Sequence, residues 1–115
     1  MSQTIMQLMQ RGTPKGAVRM FFNREELSRL LGHYITQVSR GHWRDYAIDH
    51  KPGLAAFSVF RHAHEQPVFV VTKSGLTGGR HEFCLYGFDR RLARSGELDA
   101  MLNEWRRVTQ MAEAS

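Results

Sequence analysis

The side chains able to do chemistry are few and poorly paired. His42, Asp45, Asp49 and His50 fall close together. On one extended strand, Asp45 and Asp49 would point the same way about 13 Å apart, at about 3.3 Å per residue. That is too wide for one metal ion or for two carboxylates sharing a reaction. His62 and His64 flank Ala63, and with His81 they are weak candidates for a transition-metal site. No carboxylate is placed to orient them, so no metal is expected. Ser58, Cys84 and Ser95 lack the elbow or adjacent base that activates a nucleophile. Ser74, Gly75, Gly78, Gly79 and Arg80 offer backbone amides without the lysine and hydroxyl of a phosphate loop. No cofactor is expected, and nothing positive argues for an enzyme.

Charge is the stronger signal. The 115 residues hold 16 Lys and Arg against 11 Asp and Glu, a net charge of +5, with an isoelectric point near 10.0. Such a balance favours polyanions, nucleic acid first among them. The candidate surface consists of Arg40, Arg44, Arg61 and Lys73, then Arg80, Arg90 and Arg91, with Trp43 interleaved. All but three of the basic residues are arginine, whose planar fork suits phosphate.

These residues need elements to position them. Residues 1–16, with Gly12, Pro14 and Gly16, read as a flexible N-terminal tail. Val18, Met20 and Phe22 alternate as a short strand over 17–22. Asn23 begins a helix predicted over 23–40: Glu26 completes a capping box, and Phe22 and Leu27 are spaced as a hydrophobic staple. Its apolar stripe is Leu27, Leu30, Leu31, Tyr34 and Val38, with Gln37 outside it, and Gly41 supplies the stop. Strands follow over 43–49, 54–62, 67–73 and 81–88, joined by short turns. Connections that short force an antiparallel meander, with Phe57 and Val59 on one face and Ala56, Ser58 and Phe60 on the other. Residues 89–94 read as a basic connection. Ser95 caps a last helix with apolar Leu98, Met101, Leu102, Trp105 and Val108, expected to fray past Thr109.

The predicted fold class is α+β: a short N-terminal strand, a helix, a four-stranded antiparallel meander and a C-terminal helix packed on the sheet. The length suits a single domain, set at 17–112 with a frayed end at 113–115. With 42% hydrophobic and 23% charged residues, composition excludes a disordered chain. No apolar run is long enough to span a bilayer, and no secretory signal opens the chain, so the expected location is cytoplasmic. The lone Cys84 excludes an internal disulfide and a zinc finger. Several strands are apolar on both faces, which argues for a cover on the second face and, with it, a homodimer.

Residues 41–73, GHWRDYAIDHKPGLAAFSVFRHAHEQPVFVVTK, together with the helix opening FNREELSRLL at 22–31, carry a likeness to a known family. Gly41, the run Trp43 to Asp49, the strand Phe57 to Arg61, Glu65 and Pro67 all stand in its pattern. The chain resembles an alphaproteobacterial family of small proteins, domain of unknown function 2794. After Lys73 the likeness weakens. It implies a small cytoplasmic domain and brings no activity or catalytic residues.

The expected function is that of a small non-enzymatic binding module, docking on nucleic acid or a nucleoprotein assembly through a basic surface. Two alternatives come from other classes. One is a protein-interaction adaptor or inhibitor, homodimeric through an apolar sheet face. The other is a metal-dependent enzyme using the histidines.

Overall fold

A computed structural model describes residues 19–62 and 65–114. The expected tail at 1–16, the start of the expected first strand, and His64 lie outside the described residues. Within them the chain forms α1 (Arg24–Ser39), β1 (Asp45–Lys51), β2 (Leu54–Phe60), β3 (Phe69–Gly75), a short 3-10 turn (Thr77–Gly79), β4 (His81–Gly87), β5 (Arg90–Ser95) and α2 (Leu98–Ala114). The five strands pair antiparallel with their nearest neighbours in chain order, giving an α+β fold of one sheet and two helices.

The sheet has one strand more than the four predicted. Gly87 pairs with Arg90, leaving Phe88 and Asp89 as a two-residue hairpin loop at φ 52° and 64°. Positive φ at both loop residues is the backbone that matches strand twist, and its usual sequence signal is Asn-Gly. Phe-Asp hides that signal, so β5 read as a connection. Gly87 has its own reason to be glycine, since a Cβ there would stand 2.8 Å from the Phe69 ring.

The short strand expected at 17–22 is, among the described residues, a single bridge from Arg19 to Pro52. The Met20 N–H donates to the Lys51 carbonyl at 2.9 Å. Proline has no N–H to give a neighbouring strand, so a ladder stops there. The chain instead turns Phe22 into the core.

α1 forms as its sequence predicts. The Asn23 side chain accepts from the Glu26 N–H and Glu26 accepts from the Asn23 N–H, both at 2.8 Å. Gly41, at φ 79°, follows the last turn, and its N–H donates to the Val38 carbonyl. The buried stripe is rotated from the expected one. Val38 is exposed, while His33 and Gln37 are buried, because this side of α1 faces α2 as well as the sheet.

Both helices cover the same face of the sheet. Phe57, Val59, Phe69, Val71 and Leu85 meet Leu30 and Tyr34 of α1 and Met101, Leu102 and Trp105 of α2 in one core. Trp43 stacks on Trp105 at 5.5 Å and 18° in its centre. Ala56 and Val70 form a separate cluster with Tyr86 on the opposite face. Ser95 Oγ accepts from the Glu97 N–H at the start of α2. The helix runs past the expected fraying point to Ala114, held by buried Val108 and Thr109.

Candidate functional site

An antiparallel meander sends alternate strand ends to opposite ends of the sheet. The register therefore brings the start of β1, the end of β2 and the β4–β5 hairpin to one end. The Arg44 N–H donates to the Phe60 carbonyl at 2.9 Å, seating Arg44 beside Arg61. Arg61 shares a cleft of about 540 Å³ with Arg90, Arg91 and Arg107. Both helices also end here. Arg40 and Arg106 line a groove between them, and that groove meets the Arg44–Arg61 side at His42 and Glu113. Seven exposed arginines from five parts of the chain thus occupy one end.

Some of this charge is neutralised internally. Glu104 pairs with Arg107, and Glu113 stands 4.0 Å from Arg61 and 3.8 Å from His42. Arg40, Arg44, Arg90 and Arg91 make no ion pair with a described residue. Phe88, 56% exposed, lies among Arg61, Arg90 and Arg91. Its ring is an aromatic surface that this end offers to solvent.

Five of the eight candidates, Arg40, Arg44, Arg61, Arg90 and Arg91, are gathered here. The other three do not join this surface. Trp43 is 1% exposed and cannot stack on a base. Lys73 is buried against Glu26 at 2.8 Å and the Phe21 carbonyl at 2.9 Å. Arg80 sits at the opposite end, its guanidinium turned to the Thr77 carbonyl. His62 follows β2 at the basic end and lies 3.8 Å from Glu65. His81 opens β4 at the far end, paired with Gly75. A seven-residue strand spans roughly 20 Å, so these two histidines cannot share an ion. Among the described residues, no cluster of His, Cys, Asp and Glu is suited to hold a metal. No described helix is long and apolar enough to cross a membrane.

The groove between α1 and α2 has a polar floor that the sequence reading did not single out. The Thr109 hydroxyl donates to the Trp105 carbonyl at 2.7 Å and lies 3.1 Å from His33 Nε2. Its one proton being committed, Thr109 accepts from His33, so His33 carries its proton on Nε2 and leaves Nδ1 bare. Burial, followed by the charges of Arg106 and Arg40, lowers the His33 pKa from 6.5 to about 4. The unfolded chain therefore binds a proton between those values that the folded chain refuses. The contribution of His33 to stability is complete above the upper value and is lost as pH falls through the window. His33→Gln keeps a donor toward Thr109 and cannot titrate. Urea midpoints at about pH 7.5 and about pH 4.5 should differ less in this variant than in the wild type. Equal pH losses in both proteins would show that His33 is not the group responsible.

A spacing signal for this groove was present. His33, Gln37 and Arg40 recur at i, i+4 and i+7, and Arg106, Gln110 and Glu113 do the same on α2. Attention to the apolar stripes hid both rows.

The family model described as Protein of unknown function (DUF2794) matches residues 20–102. No curated protein and no solved structure matches the chain.

Proposed function

Because the chain belongs to the family described as Protein of unknown function (DUF2794), its role has to be read from its own surface, and we propose a non-enzymatic module that docks on nucleic acid or a nucleoprotein assembly. The observation that carries this reading is the gathering of sequence-distant arginines around an exposed phenylalanine. Arg40, Arg44, Arg90 and Arg91 lack acidic partners among the described residues and supply phosphate contacts. Phe88 supplies a face on which one base can stack, worth about 1–3 kcal/mol where it occurs. Direct contact to base edges is not part of the proposal.

The test is anisotropy titration of labelled single-stranded and duplex oligonucleotides at stepped salt. Log affinity should fall linearly with log salt, by about 0.7–0.9 per neutralised phosphate. Arg44→Glu with Arg90→Glu should weaken binding at least about tenfold at low salt and flatten that slope. Phe88→Ala should weaken binding with the slope retained. Arg80→Glu, at the other end of the sheet, should matter far less than either arginine at the basic end. Affinity unchanged in the double charge reversal would sink the surface. A single protein partner captured through a nuclease-resistant, salt-resistant contact would favour the adaptor reading instead.

A further inference from the structure

The groove between α1 and α2 contains more than a solvated rim requires. Gln37 is 5% exposed, yet it lines the groove. Its Oε1 lies 2.8 Å from His42 Nδ1, while its amide nitrogen donates to no described residue. Arg40 from α1 and Arg106 from α2 line the same groove from its two walls. Among the described residues, Arg106 bonds to the neutral Asn103 Oδ1, at 3.3 Å, and to no carboxylate. The carboxylate in the groove, Glu113, is turned toward His42 and Arg61. The negative end of α1 is muted, because the N–H groups of Gly41 and His42 donate to the Val38 and Gln37 carbonyls at 2.9 Å.

Gly32 adds an independent sign. It lies inside α1 and lines the groove, and a Cβ there would meet nothing within 4 Å. Glycine inside a helix is unfavourable relative to alanine. Neither packing nor backbone angle asks for it here. It does leave more open space along the groove wall.

We propose that this groove is a binding site for a phosphate group, held between the Arg40 and Arg106 guanidiniums with the Gln37 amide donating from the floor. A phosphate matches the site because its several acceptor oxygens meet guanidinium forks on two sides while one is directed inward. The volume, about 540 Å³, leaves room for the rest of a phosphate ester. The site adjoins the surface of the nucleic-acid reading, sharing Arg40 and Arg106 with that end of the molecule.

The probe is inorganic phosphate, titrated into the full chain at constant ionic strength and followed by amide and guanidinium NMR. Saturable shifts are expected at the Gln37 side-chain amide and at Arg40 and Arg106 Nε–H. Arg40→Gln and Arg106→Gln should each weaken binding about tenfold or more, and Gln37→Leu should abolish the saturable shift at the arginines. Gly32→Ala should weaken phosphate binding while keeping or raising the melting temperature, which separates a narrowed site from a damaged fold. Shifts that never saturate, or an affinity unaltered by Arg40→Gln and Arg106→Gln, would overturn the site. Arg44→Glu with Arg90→Glu leaves the groove intact, so phosphate still saturating there while oligonucleotide affinity stays at the wild-type value would reject the nucleic-acid surface and keep this one. A 5′-phosphorylated oligonucleotide binding more tightly than its 5′-hydroxyl twin would identify a nucleic-acid end as the source of the phosphate. Equal affinity of the two, with inorganic phosphate still saturating, would identify a small phosphorylated molecule.

Discussion

Trp105→Ala is expected to cost about 3–5 kcal/mol of folding stability, the range for removing a large aromatic from a close-packed core. Trp105 is 0% exposed and lies where α2 meets both the sheet and α1. Its ring stacks on Trp43 and meets His33, Phe57 and Phe69 edge-on. Four elements would therefore border the same void, and none can shift to fill it without leaving its other neighbours. Trp105→Phe keeps an aromatic wall and should cost clearly less. Urea unfolding gives both values from the midpoint, provided the slope is unchanged. A loss below about 1 kcal/mol for the alanine variant would mean that the core collapses around the void.

Lys73→Met is the second large effect, and its cause is electrostatic. The Lys73 side chain is 6% exposed and that of Glu26 13%. The ammonium donates to Glu26 Oε1, which also takes the Asn23 N–H of the capping box. One pair thus ties β3 to the first turn of α1 and, through the Phe21 carbonyl, to the chain entering that helix. Removing one member strands the other in a poorly hydrated place, which typically costs about 3–5 kcal/mol. Lys73→Met and Glu26→Gln should each lose stability on that scale, with the partial exposure of Glu26 reducing the loss for Lys73→Met. The double variant should lose much less than their sum, because it leaves no stranded charge. Additive losses would show that the two groups do not act as a pair.

Much of the frame was legible because its signals are local. The capping box at Asn23 and Glu26, the glycine after α1 and the alternation through β2 each act over a few residues, and each stands where the sequence places it. β5 was missed because Phe88 and Asp89 hold a backbone that other residues hold more easily. The first strand was over-read because alternation at Val18, Met20 and Phe22 says nothing about whether the neighbouring edge, at Pro52, can receive a strand. The candidate site was legible only in part for a different reason. A count of arginines does not say which ends of the strands coincide. Residue type likewise gave no warning that Lys73 is turned inward, or that the solvent-facing ring would be Phe88 and not Trp43. The polar groove needed the packing of α1 on α2, which places His33 and Gln37 opposite Thr109 over a sequence separation that no local pattern spans.

The chain has only two tryptophans, and the stack of Trp43 on Trp105 places both in one spot, sheltered from water and edged by His33. Ultraviolet emission from the whole protein therefore originates at a single point beneath the inter-helix groove. Two indoles this close and nearly parallel couple their transitions, giving the folded state a near-ultraviolet circular dichroism signature that vanishes when α2 leaves the sheet. A protonated imidazole quenches an adjacent indole, so emission from the folded protein should dim only near pH 4, where His33 takes up its proton. The core thus carries a built-in optical probe, with no label attached, for events at the groove above it.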